Sequence, residues 1–269
     1  GYARDTYEAV RDAYLAFLGQ LGVHPAWVIP ISARDGDNVT AQSERMPWYV
    51  GPTIMGALDT FTARPPREDQ PLRFVVQDVY KFDSRRIVAG RVESGTLAAG
   101  DAILFSPSGH RGVVKTIERW SSPTTGPAVA GDAIGITLTE QLFVERGEII
   151  SHAARAPYVS TELLANLFWL GNRHLVTGRS YLLKLATQER PCLVTSINGV
   201  VDTASLNTLA QQHEVAKNEV ASISLTLKKP AAFDAFHDIV ETGRFVLVDE
   251  YDVAGGGIIL PPPEGNYTI

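Results

Sequence analysis

The chain has 269 residues, 45% of them hydrophobic and 20% charged, with a formal charge of −6 and a single cysteine. That is the composition of an ordinary globular protein, long enough for two or three domains. The acid excess, with no block of Lys or Arg, speaks against a nucleic-acid partner. One cysteine excludes an intramolecular disulfide framework and a cysteine-based metal cluster. No apolar run approaches the roughly 20 residues of a membrane span, and no signal-peptide pattern opens the chain. The expectation is a cytoplasmic protein with neither a membrane nor a nucleic-acid partner.

In chain order, Val10, Tyr14, Phe17 and Leu18 recur at helical spacing, predicting an amphipathic helix over 7–18 that stops at Gly19 and Gly22. Residues 27–31, Trp-Val-Ile-Pro-Ile, have the look of a short buried parallel strand that ends in a loop over 32–38. A second helix is expected over 53–61, with Ile54, Met55, Leu58 and Phe61 on one face. Helix, strand, loop and helix together read as the closing portion of an α/β domain, residues 1–63. A proline-rich, charged stretch at 64–71 marks a boundary.

Beyond it the grammar changes to short β-rich runs separated by turns. Strands are expected at 72–80, 86–93, 102–105, 112–120, 133–138 and 148–150. A second set follows at 160–170, 180–185, 193–201, 220–227 and 245–248. Runs at this spacing argue for small barrels, over 70–154 and 157–260, each closed by alternating residues such as Val88, Val92, Leu183 and Leu185. Gly100-Asp101 and Gly131-Asp132 each launch a strand, an echo of turn chemistry and not of a repeat architecture. The polar stretch 205–218 reads as a loop or short helix, and 261–269 as a tail or linker. The fold class is therefore mainly β: two barrels preceded by a partial α/β remnant.

Candidate chemistry is sparse. The six histidines (His24, His110, His152, His174, His213 and His237) show no ligand-like pairing, so no metal site is expected. Cys192 and the pair Phe168-Trp169 read as strand core. Asp249, Glu250 and Asp252 read as a solvated turn, Gln211 to Glu214 as exposed surface, and no catalytic residue is assigned.

Four segments carry a resemblance. Ile31-Ser32-Ala33, followed by Gly36-Asp37-Asn38, looks like the last guanine-binding motif of translation-factor GTPases. Main-chain N–H groups beside small residues let a base approach closely there. Ser43-Glu44-Arg45-Met46-Pro47-Trp48-Tyr49 with Gly51-Pro52-Thr53 resembles the GTPase subunit of sulfate adenylyltransferase, and its Met-Pro-Trp-Tyr core also resembles elongation factor 1-alpha. Gly90-Arg91-Val92-Glu93 with Gly95 and Gly100-Asp101 resembles the second-domain signature of translational GTPases, and the stretch from Thr242 to Ile259 resembles the close of their third domain.

The resemblance implies translation-factor domains II and III behind a G-domain remnant. It implies a GTPase subunit that couples GTP hydrolysis to formation of adenosine 5′-phosphosulfate from ATP and sulfate. Its partner would be a small adenylyl-transferring (ATP-sulfurylase) subunit, and a fused adenylylsulfate kinase domain is a further expectation. Ser32 and Ala33 would belong to the guanine site, with GTP and Mg bound in the intact protein. No Gly-x-x-x-x-Gly-Lys-Ser/Thr loop and no Asn-Lys-x-Asp occurs in the 269 residues. This chain is accordingly expected to be a truncated, GTPase-incompetent portion that binds no cofactor alone. The alternative is an elongation-factor-like fragment that binds aminoacyl-tRNA, which the acidic Asp249-Glu250-Tyr251-Asp252 stretch disfavours.

Overall fold

The computed structural model describes all residues except 21–22, 63–66, 83–84, 121–125, 202–207, 210–212 and 263–269. It divides into two compact units, Gly1–Pro65 and Pro66–Ile269.

In the first unit, helix α1 (Arg4–Gln20) is longer than expected, and helix α2 (Ile54–Asp59) shorter. Thr53 caps α2: its hydroxyl accepts the N–H of Gly56, one of the donors a helix start leaves orphaned. α1 is held by Tyr7, whose hydroxyl donates to the Val28 carbonyl at 2.7 Å and whose ring meets Trp48 at 5.3 Å. Of the face expected to be buried, Val10 is 65% and Tyr14 55% exposed. The strand expected over 27–31 does not form; the only ladder contacts here are isolated bridges from Ser32 to Asp37 and from Asp37 to Ala41. A parallel strand exists only through the hydrogen bonds of a neighbour, and none of the described residues 1–62 supplies one.

The second unit begins with β1 (Arg73–Phe82), β2 (Arg85–Ser94), β3 (Thr96–Leu97), β4 (Ala102–Ser106) and β5 (Arg111–Glu118). β6 (Ala128–Val129), β7 (Ala133–Leu138) and β8 (Ile149–Ser151) follow. Six of these close into a barrel in the order β1-β2-β7-β5-β4-β8, while β3 pairs with β6 outside it. Period-2 alternation turns Val88, Val92, Ile103, Phe105 and Ile136 into the core. Gly90 serves that core by absence: a Cβ there would stand 2.1 Å from the Val75 carbonyl oxygen and against the Phe74 ring. Close approach of the Val75 main chain is thus the reason for a glycine at this position.

A single 3-10 turn (Ala153–Arg155) leads into β9 (Tyr158–Trp169), β10 (Leu175–Val176), β11 (Ser180–Leu185) and β12 (Gln188–Val201). The remaining strands are β13 (Thr208–Leu209), β14 (Glu214–Val215), β15 (Val220–Phe233), β16 (Arg244–Asp249) and β17 (Asp252–Ile259). The sheet order is β11-β16-β17-β9-β15-β12-β13, and β11 also pairs with β12, which joins six of these strands into a second ring. Its core gathers Leu167, Trp169, Leu183, Leu185, Val194 and Leu247. The expected loop or helix at 205–218 instead contains β13 and β14, with β14 pairing β10; part of that stretch lies outside the described residues.

Among the described residues one turn construction recurs five times. Gly100, Gly131, Gly147, Gly178 and Asn218 all have positive φ, from +70° to +101°, which favours glycine or asparagine. Each donates its N–H to the carbonyl of a residue on a neighbouring strand: Val114, Val92, Val76, Val194 and Trp169 respectively. That residue's N–H returns a bond to the carbonyl of the next turn residue. In four of the turns this next residue is acidic, and its carboxylate accepts the N–H three positions back: Asp101 from Ala98, Asp132 from Val129, Glu148 from Glu145, Glu219 from Ala216. In the fifth it is Arg179, whose guanidinium pairs with Asp249. The Gly-Asp echo in the sequence is therefore one local solution to launching a strand.

The two rings are joined by buried polar groups. Arg73 donates from Nε and Nη2 to the two carboxylate oxygens of Asp234, at 2.8 and 2.7 Å, and from Nη1 to the carbonyls of Leu72 and Arg155. The Thr242 hydroxyl donates to the same Asp234. Thr187 donates to the Val76 carbonyl across the junction, while Gln188 exchanges two hydrogen bonds with the Ala232 backbone within the second ring. A small apolar cluster of Val75, Ile149 and Ala232 fills the gap.

At the edge of this junction Glu93 lies 4.0 Å from Arg91. Burial pushes its carboxyl above the ordinary range, and Arg91 and Arg244 only partly offset that. A carboxyl with a raised folded pKa contributes less as pH rises, because the unfolded chain ionises first. Glu93→Gln is therefore expected to raise Tm at neutral pH, with the gap to wild type closing below about pH 4. Equal melting curves at pH 7 would contradict this.

Candidate functional site

The loop after residue 31 is built by its own side chains. The Ser32 N–H donates to the Asp37 carbonyl and the Gly36 N–H to the Ser32 carbonyl. The Ser32 hydroxyl donates to Asp35 at 3.0 Å and accepts the Asp35 N–H. Gly36 completes the turn at φ +80°. Asn38, buried and at φ 55°, ties the loop down: its Nδ2 donates to the Pro30 carbonyl and its Oδ1 accepts from the Ser43 N–H. These bonds leave the N–H groups of Ala33 and Arg34 with no acceptor among the described residues. Ala33 and Arg34 are exposed, so two consecutive donors without an internal acceptor lie beside a methyl-sized side chain.

Two distant residues buttress this loop, and neither stands out in the sequence. The Tyr2 hydroxyl donates to Asp35 at 2.8 Å and reaches Asp37 at 3.1 Å, and Arg45 donates to that same hydroxyl while lying over the Tyr2 ring. Arg45 also sits 3.5 Å from Asp35 and 3.6 Å from Asp37. The Tyr2 and Ser32 hydroxyls hold the Asp35 carboxyl below its ordinary range. The Met-Pro-Trp-Tyr segment is the frame behind them. Met46 is buried, Trp48 Nε1 donates to the Tyr2 carbonyl at 3.0 Å, and the Tyr49 ring lies where a Cβ on Gly51 would be. The most specific sequence signature is thus a brace for the loop and not a contact surface itself.

Elsewhere the candidates are structural. Cys192 is buried against the Tyr181 carbonyl, and burial raises its thiol to about 11, far from a reactive thiolate. Asp249 and Glu250 are held by Arg179 and Arg173 at the turn between β16 and β17. His152, His174 and His237 each lie beside one carboxylate, and among the described residues no group of three metal-ligating side chains converges. Gln211 and Gln212 lie outside the described residues. Phe168 and Trp169 part company: Trp169 is fully buried, but Phe168 is 41% exposed, because neighbours in a strand face opposite sides.

A closed barrel followed by a second ring of strands is the architecture of translation-factor GTPases. A crystal structure of sup35 complexed with GDP superposes with a TM-score of 0.69 over 98% of this chain and 66% of that one, at 19% identity, which establishes the fold. Residues 162–260 match the family described as GTP-eEF1A C-terminal domain-like. Among curated proteins the chain is 36% identical to the bifunctional enzyme NodQ of Azospirillum brasilense over 261 residues, 95% of this chain and 42% of the relative. It is 33% identical to sulfate adenylyltransferase subunit 1 of Aeromonas hydrophila over 263 residues, 96% of this chain and 55% of the relative. The chain is a homologue of the NodQ and sulfate adenylyltransferase subunit 1 proteins, and it spans about half the length of the relatives it matches. No helix among the described residues is long and apolar enough to cross a membrane.

Proposed function

We propose that this chain is the barrel-bearing portion of the GTPase subunit of a cytoplasmic sulfate adenylyltransferase, which couples GTP hydrolysis to synthesis of adenosine 5′-phosphosulfate from ATP and sulfate. The observation that carries this reading is the 33% identity to sulfate adenylyltransferase subunit 1 across 96% of the chain. On this reading residues 1–63 close a G domain, 70–154 and 157–260 are domains II and III, and 261–269 is a tail or linker. Ser32 and Ala33 form the guanine side of the nucleotide site; the N–H groups of Ala33 and Arg34, without an acceptor among the described residues, and the small exposed side chain beside them support it. GTP and Mg bind the intact protein. The partner is a small adenylyl-transferring subunit, and the word bifunctional in the name of NodQ is compatible with a fused adenylylsulfate kinase domain.

The 269 residues are GTPase-incompetent on this reading, because phosphate and magnesium contacts supply most of the affinity of such sites and the phosphate loop does not occur in them. Isothermal titration with GTP or GDP is expected to show no measurable binding to this chain; micromolar affinity would overturn the placement of the guanine motif. Sedimentation with the adenylyl-transferring subunit and, separately, with aminoacyl-tRNA tests the partner. Binding of charged tRNA with no association of the subunit would replace the sulfate reading with the elongation-factor one.

A further inference from the structure

A groove of about 720 Å³ runs along the outer face of the second ring, beneath an edge of the first barrel. Its floor is a cross-strand row, Val246 paired with Gly256 and Gly256 with Phe168. Arg91, Lys184 and Arg244 stand along its sides.

Gly256 is the informative residue. At the strand glycines Gly90, Gly255 and Gly257 a Cβ would come within about 3 Å of backbone or ring atoms, so packing accounts for them, and at Gly112 and Gly135 it would meet the tips of Leu142 and Ile87. At Gly256 the nearest atom to a Cβ is 4.0 Å away, and its φ is not in the left-handed region. The fold gives no reason for a glycine there, although glycine weakens a strand. A glycine in a strand interior that neither bulges nor packs marks a place where another backbone comes close. Beside it the exposed Phe168 offers an apolar face.

We infer that this groove docks an extended segment of the partner subunit, one that carries carboxylates and presents an apolar side chain to Phe168 and its main chain to Gly256. Charge selects the occupant. The chain carries −6 overall, yet in the groove Arg244 has no ion-pair partner among the described residues and Arg91 has only Glu93, 4.0 Å away, while Lys184 is held by Glu189 and Glu241 by Arg67. A second copy of this chain fits less well, since of the carboxylates beside its exposed Tyr251, Asp249 and Glu250 are taken by Arg179 and Arg173 and only Asp252 is left to offer. The inference rests on the reading that such a subunit is the partner.

The test is sedimentation velocity of this chain with the adenylyl-transferring subunit, for wild type, Gly256→Val and Arg244→Glu. Gly256→Val is expected to melt no lower than wild type while associating at least about tenfold more weakly. Arg244→Glu, at an exposed position, is expected to weaken association likewise, and it decides the matter if the valine variant fails to fold. Unchanged association of these variants overturns the groove and leaves the proposed function standing. No association of the wild-type chain overturns both. Self-association of the wild type that Gly256→Val abolishes assigns the groove to a second copy and overturns the partner assignment.

Discussion

Asp234→Ala is expected to cost about 3–5 kcal/mol, because it leaves the Arg73 guanidinium buried without its counter-charge. Both side chains are almost inaccessible, at 3% and 7% relative exposure. The pair is bidentate, and Thr242 adds a third donor to the same carboxylate. An isolated buried ion pair is weak evidence of net stabilisation, since desolvation offsets most of the attraction. The large loss therefore belongs to the single variant, and Arg73→Met combined with Asp234→Leu is expected to recover most of it. Urea unfolding of the three proteins separates the contributions. If the single variant lost less than about 1 kcal/mol, Arg73 would have found water or a second acceptor, and the pair would not be what fixes the two rings to each other.

The strands of both rings were legible because each half-buried strand writes its own period-2 pattern. Val88, Val92, Leu183 and Leu185 were named from alternation alone, and all are buried. The same rule, applied strictly, separates Phe168 from Trp169, and reading them as one apolar pair hid the exposed ring on which the groove depends. Residues 27–31 failed for a different reason. A buried parallel strand is an apolar run plus a neighbour, and the sequence displays only the run. The short strands β10 and β14 carry too few residues to show a period, and their pairing joins positions about 40 apart in sequence. The guanine-motif candidates Ser32 and Ala33 were visible as a motif. Their buttresses were not, since Tyr2 and Arg45 meet across 43 positions through a hydroxyl and a guanidinium that no local spacing links.

Trp169→Ala is expected to be the most damaging core substitution in the second ring, at about 3–5 kcal/mol. The indole is fully buried and anchors three kinds of contact at once. Its Nε1 donates to the Arg173 carbonyl at 2.8 Å, its ring meets Tyr181 edge-on at 5.6 Å, and its main chain is gripped by the turn at Asn218 and Glu219. Gly171 and Gly255 exist to make room for it, for a Cβ on either would stand 2.6 and 2.9 Å from ring atoms. Gly171 and Gly255 have no side chain to swing in from their positions, so the cavity stays largely open and the upper part of the range applies. A loss of this size lowers Tm by roughly 10 °C in a unit of about 200 residues. Trp169→Phe keeps most of the apolar volume but leaves the Arg173 carbonyl without its donor, and it is expected to fall between wild type and the alanine variant. Thermal unfolding followed by circular dichroism reads all three. An alanine variant that melts within a degree or two of wild type would mean that the strands β9 and β17 close over the gap, and the account of the two glycines as space for this ring would be wrong.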